Sequence, residues 1–252
     1  DCAEVTNLKI HRSTTFLVPA LLLAFTFGGG LAVMKQKTAE TIAPVRFPSE
    51  QVIIDPGHGG EDGGAVSPRG TVESGINLAV ALKLDGIFGL YGVDTLLLRD
   101  TDSSTHDATA QTLHEKKVSD IHNRVARIEA VPNATVISIH QNMFPGAKYH
   151  GAHVFYANGL LSMPLAAAVQ DALRLALNPE NHRQAAPISK DVYLMNHISC
   201  RAILVECGFL SNPQEDALLQ TAEYQTKLAA TIAGAYLQFQ NMEGERPNVT
   251  QS

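Results

Sequence analysis

The chain has 252 residues, of which 45% are hydrophobic and 17% charged, so it contains enough apolar material for one large core. The simplest partition is a single globular domain of about 190 residues. The net charge of −6 argues against a nucleic-acid partner, because proteins that bind nucleic acid usually present a basic surface to the phosphates.

Residues 1–13 precede an uncharged stretch, 14–34, that is 21 residues long. That length suits one membrane-spanning helix, since about 20 residues cross the hydrocarbon core of a bilayer. It also exceeds the apolar region of a typical signal peptide, although three consecutive glycines divide it. We predict an uncleaved membrane anchor, with a cleaved export signal as the alternative. Both place the rest of the chain at the extracytoplasmic face of the cell membrane.

Residues 35–50 are polar and contain two prolines, which indicates a linker. From 51 to 242, apolar runs of strand length alternate with segments of helical periodicity. The pattern predicts strands at 51–55, 94–98, 135–140, 152–156 and 202–207, and helices at 73–90, 118–130, 162–177 and 224–239. Such alternation predicts a single three-layer α/β domain with a mainly parallel twisted sheet and helices on both faces. We expect residues 243–252 to be disordered.

Four polar side chains follow or begin these elements at one edge of the predicted sheet. The first strand runs into the sequence DPGHGG, which places His58 where that strand stops. Two later strands end at His140 and Glu206, and Glu73 begins the first helix. Ligands of open α/β sheets bind beyond the carboxyl ends of the strands, so we expect these side chains to converge there.

Two histidines and two glutamates are the components of a catalytic metal site. Two imidazoles and one carboxylate can bind zinc and leave a fourth position open, which is typical of catalytic rather than structural zinc. A second carboxylate could then transfer a proton. The spacing alone does not show which of Glu73 and Glu206 has which role. The sequence contains no G-x-S-x-G elbow or P-loop that would favour another chemistry.

The cysteines and the other histidines give weaker signals. Cys200 and Cys207 flank a predicted strand, so their Cα atoms would lie about 23 Å apart, beyond the ~7 Å limit of a disulfide. We therefore predict free thiols, and packing rather than nucleophilic chemistry for Cys207. The remaining histidines are expected to be solvated, namely His106, His114, His122, His150, His153, His182 and His197.

Five segments carry a family resemblance: IIDPGHGGEDGGA, ESGINLAVAL, TLLLRDTD, VISIHQN and AILVECGFLSNPQEDALL. From about 52 to 237 the sequence resembles the zinc-dependent N-acetylmuramoyl-L-alanine amidases of bacterial cell walls, amidase type 3. The resemblance implies one Zn²⁺ per chain bound by His58, Glu73 and His140, with Glu206 as the catalytic carboxylate. It also implies peptidoglycan as the substrate, cut at the amide between the lactyl group of muramic acid and L-alanine.

Within that family, the segments KKVSDIHNRV and VECGFLSNPQEDALL are similar to those of the germination-specific amidases of spore-forming bacteria. The resemblance implies a role in spore cortex maturation or germination. Arg201 departs from the family pattern, which often has proline before AILVE. Some members carry a long helical insertion that plugs the site, but the eight residues between Asn142 and Gly151 are too few for such a helix, so we predict an open groove.

Other polar residues near the predicted site have two interpretations each. Asn77 and Asn142 could orient ligands or substrate, although helix capping or a solvated loop position is an equal alternative. Arg99 and Arg124 could bind a peptide carboxylate, but we favour surface or structural ion pairs.

Two other functions fit the same residues. One is a membrane-tethered wall-binding protein with a degenerate site, and the other is a zinc peptidase acting on stem peptides. The sequence indicates no particular activating partner.

Overall fold

The computed structural model describes residues 50–244, and six strands of this region form one sheet. The strands are Val52–Pro56 (β1), Thr95–Leu97 (β2), Thr135–Asn142 (β3), His153–Tyr156 (β4), Ala186–Pro187 (β5) and Arg201–Phe209 (β6). Their order across the sheet is β2-β1-β3-β6-β4-β5. The central strands β1, β3 and β6 are therefore neighbours, and their carboxyl ends meet at one edge.

The sheet is mixed but mainly parallel. All neighbouring strands run parallel except β4, which is antiparallel to β6. A parallel return after β3 would require a crossover of a dozen or more residues, usually with a helix. The connection from β3 to β4 is shorter than that, so β4 runs in the opposite direction. Because β5 is parallel to β4, both strands run opposite to the other four. The predicted parallel arrangement therefore holds for the four strands β2, β1, β3 and β6, and the sheet as a whole is mixed.

Helices cover both faces of the sheet. They are Glu73–Leu90 (α1), Leu113–Glu129 (α2), Met163–Leu177 (α3), Tyr193–Asn196 (α4), Pro213–Leu219 (α5) and Ala222–Gly244 (α6), with a 3-10 turn at Gly159–Leu161. Ile54 of β1 belongs to the apolar cluster that includes α1, α3 and α6, whereas its neighbour Ile53 belongs to the cluster with α2 and α4. Because successive strand side chains point to opposite faces, each strand contributes to both cores.

The main differences from the predicted elements concern the start of one helix and three short elements that were not predicted. Helix α2 begins at Leu113 rather than 118, because Thr112 and Glu115 form a reciprocal capping box. Helix α5 was not predicted, although Asn212 caps it by accepting from the backbone N–H groups of Gln214 and Glu215. Helix α4 and strand β5 are too short to produce a periodic pattern.

The ends of the chain are only partly described. The predicted anchor 14–34, the linker up to residue 49 and the tail from residue 245 lie outside the described region. Within residues 50–244, no helix is long and apolar enough to cross a membrane. Glu50, assigned to the linker, accepts a hydrogen bond from Gln240 of α6 at 2.9 Å. Helix α6 itself continues to Gly244, beyond the predicted domain end at 242.

Candidate metal centre

The register of the central strands places two of the candidate residues side by side. His140 of β3 is paired with Glu206 of β6 in parallel register. β1 ends at Pro56, opposite Ile139, so the chain leaves the sheet beside His140. Neighbouring strands lie about 4.8 Å apart, so β1 and β6 end on either side of β3 and about 10 Å from each other.

The side chains of His58, Glu73 and His140 converge at this edge. Each offers one ligand atom, and these atoms all lie within 4.8 Å of one another. Nδ1 of His140 lies 3.0 Å from Oε1 of Glu73, and Nε2 of His58 lies 3.5 Å from Oε2 of the same carboxylate. The two imidazole rings are edge to face, with centroids 5.0 Å apart. The structure thus brings together the three residues that the sequence predicted as ligands.

Two glycines are required for this close approach. A Cβ atom on Gly57 would overlap the imidazole ring of His140. Gly64 has a φ of +70°, and a Cβ there would lie 2.6 Å from both Oε2 of Glu73 and Cδ2 of His58. The glycine-rich sequence around His58 therefore reflects the space that the two imidazoles and the carboxylate occupy.

His58 itself has a left-handed backbone, with a φ of 63°. A non-glycine residue in this region costs of order 1–3 kcal/mol and persists only where its surroundings enforce it. Arg124 supplies part of that enforcement, because its Nη2 donates to the His58 carbonyl at 2.6 Å. Nε and Nη2 of Arg99 donate to the Pro56 and Gly57 carbonyls at 2.9 and 3.0 Å. Both arginines are buried. Arg124 forms salt bridges with Asp55 and Asp120, in agreement with the ion pair favoured from the sequence, whereas Arg99 donates only to backbone carbonyls and forms no ion pair within residues 50–244.

Polar neighbours outside the cluster orient two of the three side chains, His58 and Glu73. Nδ1 of His58 lies 2.9 Å from Oδ2 of Asp62, which directs Nε2 toward Glu73. Asn77 donates to Oε1 of Glu73 at 3.2 Å and accepts from Gln141. The side chain of Asn142 makes no hydrogen bond with any residue in 50–244. Asn77 therefore contacts a candidate ligand, whereas Asn142 does not.

Asp62 is a residue that the sequence analysis missed. An acidic residue four positions after the histidine, inside a glycine-rich loop, was the available signal. Its contact with His58 depends on the backbone of that loop, in which Gly60 and Gly64 adopt positive φ. The periodicity of apolar residues does not predict the backbone conformation of such a loop.

The electrostatics of the cluster favour a cation. Burial raises the pKa of Glu73, but hydrogen bonds with His140 and His58 hold it well below its ordinary range. Burial lowers the pKa of His58, but hydrogen bonds with Asp62 and Glu73 raise it to about 9. The carboxylates of Asp62 and Glu73 thus favour a protonated imidazole at His58, and a metal ion bound there would replace the proton. Two imidazole nitrogens and one carboxylate oxygen form a donor set that zinc accepts.

Glu206 differs from Glu73 in its surroundings. Its Oε2 is buried and has no hydrogen-bond partner within the described part of the chain. Burial raises the pKa of Glu206 to about 7, the charge of Glu73 adds to that rise, and the two histidines oppose it. An acid side chain beside the cluster with a pKa near neutrality can both accept and donate a proton.

Residues 52–237 match the model of the Amidase_3 family, N-acetylmuramoyl-L-alanine amidase. The chain belongs to this family. A germination-specific N-acetylmuramoyl-L-alanine amidase of Bacillus subtilis is 33% identical over 197 residues, which cover 78% of this chain and 82% of that protein.

Solved structures agree with the family assignment. The CwlD amidase of Clostridioides difficile, solved in complex with the GerS lipoprotein, has a TM-score of 0.74 at 34% identity. The alignment covers 77% of this chain and 99% of that one. AmiC2 of Nostoc punctiforme has a TM-score of 0.66 at 26% identity, over 77% of this chain and 98% of that one. The resemblance to amidase type 3 is confirmed.

The loop that follows His140 in this amidase contains no helix between Asn142 and Gly151. The side chains of both histidines in the cluster are partly exposed, 26% for His58 and 21% for His140. The predicted absence of an occluding helix in this segment is therefore confirmed.

The remaining histidines and the cysteines of this amidase are mostly as predicted. Among the histidines predicted to be solvated, His153 is half-buried. It lies close to the site, because it pairs with Glu206 across β4 and β6. Its Nε2 lies 3.1 Å from the Gln184 carbonyl, and burial lowers its pKa. Cys200 and Cys207 are free thiols, and Cys207 is buried in the core.

Proposed function

We propose that this amidase is zinc-dependent and hydrolyses the amide bond between the lactyl group of N-acetylmuramic acid and L-alanine. In this proposal His58, Glu73 and His140 hold one Zn²⁺ per chain, and Glu206 is the catalytic carboxylate. The observation that supports it is the convergence of three ligand atoms within 4.8 Å, beside a second carboxylate whose Oε2 is buried without a partner.

Zinc, when bound, supplies Lewis acidity that polarises the scissile carbonyl and acidifies water. The protein residues do the rest. Glu206 accepts a proton from the attacking water and then donates it to the nitrogen of the departing L-alanine. Asp62 fixes the ring of His58, and Asn77 fixes the carboxylate of Glu73. The elevated pKa of Glu206 suits both directions of proton transfer near neutral pH.

The test is mass spectrometry of purified muropeptides incubated with the protein, with and without a chelator. We expect a free stem peptide that begins with L-alanine, no product after chelation, and recovery on addition of Zn²⁺. Release of a terminal amino acid would instead indicate a zinc peptidase. Binding to the wall without any product would indicate a degenerate site.

The cellular setting is part of the proposal. The 33% identity to a germination-specific amidase supports a role in spore cortex maturation or germination. The predicted segment 14–34 would act as an anchor or export signal and place the enzyme at the extracytoplasmic face of the membrane. In this role, removal of the stem peptide would precede formation of muramic δ-lactam in the spore cortex. Loss of δ-lactam from the cortex of spores lacking the gene would support the role, and unchanged δ-lactam would contradict it.

A further inference from the structure

A surface cavity of about 330 Å³ lies between the β3–β4 connection and the segment that follows α3. Its lining residues are Lys148, Tyr149, His150, Glu180, Asn181, His182 and Arg183. Two of them carry a permanent positive charge and only one is acidic. The proposed chemistry at His58, Glu73, His140 and Glu206 does not use this cavity.

Arg183 is the residue that makes this cavity a candidate anion site. Its Nη1 donates to the His150 carbonyl at 2.6 Å and to Oδ1 of Asn181 at 3.1 Å. Its guanidinium lies 5.0 Å from the ring centroid of Phe209. Within residues 50–244, Arg183 forms no salt bridge, and its Nε and Nη2 make no hydrogen bond. Arg183 is thus held in place by its contacts, while the N–H groups of Nε and Nη2 remain available to donate to a ligand.

Strands β6 and β4 connect the cavity to the proposed catalytic carboxylate. Phe209 lies three residues beyond Glu206 on β6, so it is roughly 10 Å further along the strand. Strand β4, which pairs with β6 at His153 and Glu206, contacts the same segment through Gln184. Tyr149, which also lines the cavity, stacks against Phe209, with ring centroids 6.0 Å apart.

We propose that Arg183, assisted by Lys148, binds a carboxylate in the peptide part of the substrate. This inference rests on the proposed function and names a specificity subsite for it. An extended peptide covers about 3.3–3.6 Å per residue, so a group two to three residues from the scissile amide reaches the cavity. A guanidinium held by Phe209 and two oxygen acceptors is preorganised for a carboxylate. A neutral sugar would form no ion pair with the guanidinium of Arg183.

The test compares two ligands that differ by one charge. L-alanyl-D-glutamine has one carboxylate, at the α-carbon of its second residue, and L-alanyl-D-glutamine amide has none. Calorimetry gives their affinities for the full chain, and the matching muropeptides give KM and kcat. We expect the free carboxylate to lower both Kd and KM by roughly 10- to 100-fold. Arg183→Gln should remove this preference by raising Kd and KM for the acid alone, with kcat unchanged.

Matched variants separate binding from folding. Arg174→Gln alters an arginine on α3 outside the cavity and should keep the full preference. Lys148→Gln changes an exposed side chain and should reduce the preference in part, even if Arg183→Gln disturbs the loop. Equal affinity of the wild type for both dipeptides would overturn the inference. An undiminished preference in both Arg183→Gln and Lys148→Gln would overturn it as well. Absence of hydrolysis with the binding preference intact would overturn only the proposed function.

Discussion

Glu73 and Glu206 face the same pair of histidines, but their surroundings differ. Glu73 accepts hydrogen bonds from the backbone N–H groups of Ala65 and Gln141, at 2.8 and 3.0 Å. Glu206 has no partner for Oε2 in the described region. Burial raises the pKa of Glu73, but hydrogen bonds with His140 and His58 lower it by more, whereas burial raises the pKa of Glu206 to about 7. Two carboxyl groups with pKa values pushed apart suggest separate roles, and this supports Glu73 as ligand and Glu206 as proton carrier.

Replacing Glu206 by glutamine tests that division. We expect Glu206→Gln to retain about one zinc per chain, since the residue is outside the ligand set, and to reduce turnover roughly 10²- to 10⁴-fold. Elemental analysis and muropeptide turnover give the two readings. Glu73→Gln is the matched control and should lose the metal. Zinc loss in Glu206→Gln with retention in Glu73→Gln would show that the two roles are exchanged.

The loop between β1 and α1 is held by arginines from other elements. Arg124 of α2 is 2% exposed and forms a salt bridge with Asp55 at 2.6 Å, while donating to the carbonyls of Pro56 and His58. Burial raises the pKa of Asp55, but Arg124, His140 and Ser138 together lower it. The stability that this ion pair contributes is therefore present above the unfolded pKa of about 3.9 and lost as pH falls through the folded pKa.

Substitution of Arg124 should destabilise the domain in a pH-dependent way. Arg124→Met leaves the Asp55 carboxylate buried and unpaired, and we expect a loss of about 3–5 kcal/mol at neutral pH. In the variant, burial alone raises the pKa of Asp55, so protonation relieves the penalty as pH falls. The difference from wild type should shrink between pH 7.5 and 4.5, as measured by urea unfolding. Arg174→Met on the surface is the control, and a constant difference across this range would contradict the account.

The elements that could be predicted are those with long periodic patterns. Helix α1 matches its predicted span because Ile76, Val80 and Leu84 recur on one buried face. The start of α2 depends on the capping pair Thr112 and Glu115 rather than on apolar spacing. Short elements such as β5 are stabilised by tertiary contacts that no local pattern shows.

The same reasoning explains which site residues were found. His58, His140 and Glu206 follow from strand ends, and Glu73 from a helix start, because parallel strands align those positions. Asp62 could not be placed, since its contact with His58 requires a loop with positive φ at several residues. Asn142 was proposed by proximity in sequence alone, and its side chain makes no hydrogen bond with any candidate ligand in the described region.

In the whole molecule, the proposed ligands come from three separate segments. His58 belongs to the loop after β1, Glu73 begins α1 and His140 lies near the end of β3. These segments are 15 and 67 residues apart in the chain and are brought together only in the folded state. A metal ion bound by all three would therefore bind the folded chain far more tightly than the unfolded one.

Metal removal should accordingly lower the thermal stability of the protein. Zn²⁺ at about 1,000 times its Kd adds about 4 kcal/mol, and a domain of this size shifts by about 2–4 °C per kcal/mol. We expect the Tm of the chelated protein to rise by roughly 8–16 °C on addition of Zn²⁺, measured by calorimetry. His140→Ala should abolish the shift, whereas His114→Ala, an exposed histidine on α2, should keep it. A shift of the same size in His140→Ala would place the stabilising ion elsewhere, because the remaining two side chains cannot link all three segments.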